Sequence, residues 1–408
     1  MGNTLLNKEE KEFAAKFYDF LDKELDDDIK GLQTLNYFLE EETYNKKKEI
    51  IIRIMKKLAK KGYYSTIPKS YSYDVGPITR NAIIAFILCS GKWSVEHEKY
   101  IGGNWSIEMG RLAGGTLYCN PVNYKANENQ KEIFLKPVAV DGEIAASAMT
   151  EFAAGSDIKN MELSIRDNGN EYVLNGKKIF ITNGPIAKYI LVYGRIDNAQ
   201  MAAIIVDTKE QTLEGFEATR LHTFGMNDAI VSRLVFKDVK VPKENLLEGN
   251  GLDIAFHQLT EERLVISAEA LGDVSKKLLY THSYALQREQ FSKKLHQYQV
   301  IRMPITTMVR QLSLLTDSLI SYARLMDSSD KTIEDPRHLA RQAMGLKIAT
   351  TELAFESSIH CFRTMGGRGF IRQYSVPIGF LDAYCMVHGG GSNYVLQDSE
   401  SRQIFKNL

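Results

Sequence analysis

The spacing of apolar residues changes twice along this chain, and that change limits the fold more than any single motif. From Lys8 to about Leu117 apolar side chains recur every three or four residues, as at Phe13, Phe17, Phe20 and Leu21 and again at Ile51, Ile54, Met55 and Leu58. That period lines one face of a helix. Between Ile144 and Val241 it gives way to short β-branched and aromatic runs, among them Tyr189-Ile-Leu-Val-Tyr193 and Ala203-Ile-Ile-Val206, bounded by turn residues. After Gly251 the helical period returns, with Leu264, Leu271, Val274 and Leu278 on one stripe and Leu312, Leu315, Leu319 and Tyr322 on another. An α+β chain is expected: helical over residues 1–145, a β domain over residues 146–250, and helical again over residues 251–408. Within the strands, Asn175-Gly176 reads as the tight turn of a hairpin running from Glu171 to Phe180, because a type I′ turn needs positive φ at both central positions. The polar Ser328-Ser-Asp-Lys-Thr332 stretch before Pro336 reads as a flexible connection.

A chain of 408 residues, 44% of them hydrophobic, can bury a large core and divide into two or three domains. Lys plus Arg and Asp plus Glu both total 51, so there is no net field to hold nucleic acid or an anionic membrane. The most apolar stretch, Ala82 to Cys89, is far shorter than the roughly 20 residues that cross a bilayer. Cys89, Cys119, Cys361 and Cys385 show no CxxC pairing and no metal-ligand spacing, which suits packed thiols in a reducing compartment. The acidic start, MGNTLLNKEEKEF, has no apolar signal core, and a cytoplasmic protein without a metal site is expected.

The segment Ala148-Met-Thr-Glu-Phe-Ala-Ala-Gly-Ser-Asp157, followed by Tyr172-Val-Leu-Asn-Gly-Lys177 and Ile179-Phe-Ile-Thr-Asn-Gly184, resembles the signature of the acyl-CoA dehydrogenase family. Val235-Phe-Lys-Asp-Val-Lys-Val-Pro242, Arg288-Glu-Gln-Phe-Ser-Lys-Lys-Leu295 with Gln299, and Met365-Gly-Gly-Arg-Gly-Phe370 follow in that family's order. The resemblance runs from about Gln130 to Gln403. It implies an acyl-CoA dehydrogenase-like fold, with an N-terminal α-helical domain, a middle β-sheet or barrel and a C-terminal four-helix bundle. It also implies FAD as cofactor, an acyl-CoA substrate, an electron-transfer flavoprotein as acceptor and a homo-oligomer, a tetramer in most of its relatives. The chemistry agrees: an isoalloxazine edge rich in acceptors must be met by hydroxyls and backbone N–H groups at fixed positions.

By the same resemblance, Met149, Thr150 and Thr182 would meet the flavin ring, Phe180 would flank it and Ser156 would touch the pyrophosphate. Small residues at Ala153, Ala154 and Gly155 would let backbone approach the cofactor. Arg288, Phe291, Gly366, Gly367, Ser392 and Tyr394 match positions that complete the dinucleotide site, partly from a neighbouring subunit. An arginine suits a pyrophosphate because its planar fork donates parallel charge-assisted hydrogen bonds. Arg363 and Arg368 stand where the family usually has glutamine and an uncharged residue.

Taking a proton from the α-carbon of a thioester needs a desolvated carboxylate. Many relatives carry it as a glutamate just before a Gly-Thr near the C-terminus, but here that position is Gly390, within Val387-His-Gly-Gly-Gly-Ser392. A subset that includes isovaleryl-CoA and long-chain acyl-CoA dehydrogenases places the base on a helix, in a Glu-Arg-Leu sequence, and here Glu262-Arg263-Leu264 supplies it. Glu262 is the expected base and the Gly390 backbone N–H the expected partner of the thioester carbonyl oxygen; Arg263 matches a position near the CoA moiety. Glu261 is a rival, yet one helical residue turns a side chain by about 100°. His388 is a second rival by its ordinary pKa. In the family, Asp382 follows an arginine, replaced here by Leu381.

The expected reaction is α,β-dehydrogenation of a branched, cyclic or aryl-substituted acyl-CoA, since the relocated base frees one side of the pocket. Arg363 and Arg368 raise a narrower version, a second carboxylate on the acyl group as in benzylsuccinyl-CoA. An oxidase, a dehydrogenase of carrier-protein thioesters and a flavin-binding homologue without turnover are the alternatives.

Overall fold

The computed structural model describes residues 6–35, 41–67, 76–94, 99–101, 103–196, 200–328, 336–371 and 379–406. The Ser328-to-Thr332 stretch lies, after Ser328, outside these residues, as do the first five residues of the chain. Helix α1 (Lys8–Phe20) opens with a reciprocal cap: Asn7 Oδ1 accepts from Glu10 N at 2.9 Å, and Glu10 Oε2 accepts from Asn7 N at 2.8 Å. It buries Phe13, Phe17 and Phe20, while α2 (Glu41–Lys60) buries Ile51, Ile54, Met55 and Leu58. Helix α3 (Pro77–Ser90) is apolar all round and accordingly lies inside, buried from Thr79 onward. Its N-terminus is capped from far away in sequence, because Asp327 accepts from Ile78 N at 2.8 Å and from Thr79 N at 2.9 Å. A short antiparallel pair, Lys92–Ser94 with Lys99–Ile101, interrupts the helical part and was not expected. Helix α4 (Trp105–Arg111) follows, capped by Asn104.

The sheet contains, among the described residues, β1 (Ala145–Ala148), β2 (Ser164–Asp167), β3 (Glu171–Thr182), β4 (Tyr189–Ile196), β5 (Gln200–Asp207), β6 (Phe216–Arg220) and β7 (Val231–Pro242). Strand order is β1-β4-β2-β3-β7-β6, with β5 also paired to β4. Strands β4 and β5 are buried on both faces over most of their length, as their unbroken apolar runs require.

The expected hairpin turn at Asn175-Gly176 is wrong. Both residues lie in the middle of β3, which runs unbroken against β7, and the register slips between Leu174 and Gly176. Gly176 has φ 152°, and a side chain there would come within 2.8 Å of the Leu163 backbone. The glycine answers a bulge and a close approach rather than a turn. Asn175 instead pairs with Asp238 across the sheet, and the real β2–β3 turn is at Asn168-Gly169-Asn170.

The C-terminal part is a bundle of α5 (Gly251–Gln287), α6 (Gln299–Asp327), α7 (Pro336–Met365) and α9 (Asn393–Lys406), with α8 (Phe380–Met386) beside α7. Helix α5 packs on α3, α6 and α7, and Gly272 lets it approach α3: a side chain there would meet the Phe86 carbonyl at 2.3 Å. No described helix is long and apolar enough to cross a membrane.

Candidate active site

Glu262 lies in the fourth turn of α5, beside the 387–391 segment between α8 and α9. Gly390 has φ 64°, which favours glycine, and a Cβ built on it would sit 3.9 Å from the Glu262 carboxyl carbon and 2.9 Å from Ile266 Cδ1. The helix carboxylate thus reaches the spot from which a side chain at 390 would start. The Gly390 N–H donates to no described residue, while its carbonyl accepts from Arg263 Nε at 3.0 Å. Burial lifts the Glu262 carboxyl to about 7, against the opposing pull of Arg263 and Lys347.

Lys347 on α7 was missed by sequence reasoning. It is buried and donates to Val387 O at 3.1 Å, Gly391 O at 2.9 Å and Asn393 Oδ1 at 2.7 Å, so one ammonium pins the segment that carries Gly390. Burial brings it down to about 7, although Glu262 pulls the other way. A lysine flanked by Leu346 and Ile348 was the available signal. The rivals separate cleanly. Glu261 is also lifted to about 7 by burial, but it turns away to accept a hydrogen bond from Asn120. His388 is exposed, edge-on to Tyr384. Asp382, without its arginine, accepts instead from the Met226 backbone at 2.5 Å.

One turn before Glu262, Gln258 accepts from Tyr193 on β4 at 2.6 Å and from Ser147 on β1 at 3.2 Å. This polar link, also unforeseen, ties the helix of Glu262 to the strand that leads into Met149 and Thr150. The Thr150 carbonyl in turn accepts from Ile179 N at 2.9 Å, bringing the first signature against Phe180 and Thr182 on β3. A buried ion pair locks the junction: Lys178 Nζ meets Glu151 Oε1 at 2.7 Å and Met149 O at 2.8 Å, and Glu151 also accepts from Glu162 N and Leu163 N. Phe180 has φ 60° and is 64% exposed, a large aromatic face held outward at a strained position. Ser156 and its neighbours Ala153 and Gly155 are exposed beside it, whereas Ala154 is buried.

The second group lies elsewhere. Arg288 ends α5 and Phe291 follows it, 91% exposed; Gly366 and Gly367 end α7, next to Arg368, whose guanidinium lies over the Tyr284 ring at 5.9 Å. No described residue lies within 4 Å of where a side chain on Gly366 or Gly367 would be. Ser392 and the exposed Tyr394 stand at the start of α9, beside Gly390. Along α5, Arg288 is 26 residues from Glu262, about 39 Å of helix. Open glycines, outward aromatics, hydroxyls and an arginine suit a flavin dinucleotide, but in two places on one chain. The described residues hold no cluster of three or more metal-ligating side chains, and burial raises the thiols of all four cysteines, Cys119 to about 12.

Comparison with known proteins resolves the class. The family model "Acyl-CoA dehydrogenase, middle domain" matches residues 146–239, and "Acyl-CoA dehydrogenase, C-terminal domain" matches residues 249–405. Isovaleryl-CoA dehydrogenase of Pongo abelii is 31% identical over 290 residues, 69% of this chain and 67% of the relative. The chain belongs to the acyl-CoA dehydrogenase family. This acyl-CoA dehydrogenase is thus an oxidoreductase by family. It is also 28% identical over 360 residues to the caffeyl-CoA reductase–Etf complex subunit CarC of Acetobacterium woodii, covering 86% of this chain and 89% of the relative. Butyryl-CoA dehydrogenase of Megasphaera elsdenii shares the fold with a TM-score of 0.82 at 24% identity, over 98% of this chain and 99% of that one. A glutaryl-CoA dehydrogenase of Mycobacterium smegmatis, solved in complex with FADH2, superposes with a TM-score of 0.82 at 22% identity, over 99% of this chain and 96% of that one.

Proposed function

We propose that this acyl-CoA dehydrogenase uses FAD to convert an acyl-CoA to its α,β-enoyl-CoA, with Glu262 as base. The observation that carries the reading is the pairing of the Glu262 carboxyl with the vacant side-chain position of Gly390. Glu262 takes the α-proton, and the free Gly390 N–H binds the thioester oxygen, where negative charge develops. Bound FAD supplies the acceptor for the β-hydride that leaves as the double bond forms. Thr150, Ser156, Phe180 and Thr182 hold its flavin end, with Met149 in the same turn. Arg288, Phe291, Gly366 and Gly367 serve the far end of a FAD seated mainly in another copy, since about 39 Å of α5 separates them from their own base. That division supports a homo-oligomer, which we take to be a tetramer. Arg263 lies at the CoA entrance as well as on the Gly390 carbonyl. The relative named as a subunit of an Etf complex supports an electron-transfer flavoprotein as acceptor.

A branched, cyclic or aryl-substituted acyl group fits best. The dicarboxylic version loses its motive: Arg363 is exposed, 16 residues and about 24 Å along α7 from Lys347, which marks the base. The test is anaerobic bleaching of bound flavin by a panel of acyl-CoAs. Wild type should bleach with at least one class, and Glu262→Gln should stay yellow and slow bleaching by a factor of about a thousand or more. Unchanged bleaching in the variant would rule out Glu262.

A further inference from the structure

Glu269 follows Glu262 by seven residues on α5, so the two carboxyls share a helix face about 10 Å apart along the axis, with Ile266 between them. Ile266 is the side chain that a residue at 390 would meet, and Cys385, just before the 387–391 segment, lies in the field of Glu269. Glu269 is therefore on the base's side of the helix, deeper in, between α5, α3 and α4. The surroundings are polar where a plain hydrocarbon chain would want an apolar wall. Trp105 Nε1 donates to Glu269 Oε2 at 3.0 Å. Arg111 is committed to Glu108, through Nε at 2.6 Å and Nη2 at 2.5 Å, and to Asn81 Oδ1 at 2.8 Å. All four of Trp105, Glu108, Arg111 and Glu269 are buried.

One atom in this cluster is left over. Glu269 Oε1 is buried and has no hydrogen-bond partner among the described residues. Burial, reinforced by nearby Glu108, pushes the Glu269 carboxyl well above the usual range, which favours its protonated form. Since Oε2 accepts from Trp105, the O–H belongs on Oε1, a donor with nothing to donate to. A buried donor in that state is destabilising unless something meets it. The Glu108–Arg111 pair is neutral in sum, so no free cation awaits a carboxylate and no free anion awaits an amine.

Resting on the dehydrogenase reading above, we propose that Glu269 recognises an uncharged oxygen at the far end of the acyl group, a hydroxyl, ether or ketone. A β-arylpropionyl thioester with a para oxygen, or a chain of similar length with a terminal hydroxyl, spans the distance from the base.

The test compares matched pairs as the holoenzyme's reductants: β-phenylpropionyl-CoA with its para-hydroxy derivative, and octanoyl-CoA with its ω-hydroxy derivative. Wild type should favour the hydroxylated member of at least one pair about tenfold or more in kcat/KM. Glu269→Gln, which still donates, should keep the preference, and Glu269→Leu should reverse it. Calorimetric binding of the corresponding α,β-enoyl products should give the same order without turnover. Equal rates and equal binding within both pairs overturn the inference and leave only a bound water at Oε1. Retention of the preference in Glu269→Leu overturns it too. Should that variant not fold, the wild-type preference and its survival in Glu269→Gln decide. A flavin that responds to neither member of either pair, nor to any other acyl-CoA, overturns the dehydrogenase reading and this inference with it.

Discussion

Glu262 and Glu261 are adjacent, of one residue type and both lifted to about 7, yet only Glu262 faces Gly390. The Glu-Arg-Leu sequence singled out the one that lies beside Gly390, but the reason, Asn120 drawing Glu261 aside, comes from a residue more than a hundred positions earlier. A base must be ionised to act, so flavin reduction should rise with pH through about 7 and level off above it. The stability term has the opposite sense. The folded state holds this proton more tightly than the unfolded one, so the group's contribution is intact below about 4.5 and is lost as pH climbs through 7. Glu262→Gln should therefore be more stable than wild type at pH 8, by about 3 kcal/mol, and nearly equal to it near pH 4.5. Denaturant titrations at the two pH values check this. Lys347 lowers the Glu262 value, so Lys347→Met should move the midpoint of the pH–rate curve upward, a change that a merely loosened segment would not produce. An unmoved midpoint would leave Lys347 only its hydrogen bonds.

At the scale of elements, periodicity was a sound guide where one face or the whole of an element is buried. Runs at Tyr189–Tyr193 and Ala203–Val206 do form strands, and the stripes on α5 and α6 do face the core. Asn175-Gly176 shows where local chemistry misleads: the dipeptide is permissive for a turn, but the pairing of β3 with β7 wanted a continuous strand, bulged at this point and passing close to Leu163. Long-range caps are equally invisible from sequence. Asp327 closes the N-terminus of α3 from 248 residues away, and a side chain on Gly76 would collide with it at 2.2 Å. Asp327→Ala should cost about 1–2 kcal/mol of global stability, read as a shift in the urea midpoint without a change in slope.

Across the whole molecule, the site draws on α5, the 387–391 segment, α7 and two strands of the sheet, and the first helix is clasped to α6 by the Glu10–Arg324 pair at 2.5 Å. The same geometry separates the two groups of residues proposed to hold the dinucleotide. Tyr394→Asp and Phe291→Asp should therefore weaken flavin retention and lower the assembled mass together, as measured by sedimentation at flavin and protein wavelengths. Loss of flavin from an intact assembly would assign these aromatics to the cofactor alone. By itself the sequence determined what depends on residue type and short spacing: helices, then strands, then helices; the signature segments; and a glycine at position 390 together with a Glu-Arg-Leu sequence on a helix. Only the tertiary structure decided which of two neighbouring glutamates meets Gly390, that Lys347 and Gln258 brace the site, and that Glu269 keeps an unmet donor beside it. Those outcomes depend on which distant groups exclude water from a carboxyl or an ammonium, and burial of that kind is set by packing between elements rather than by any local pattern.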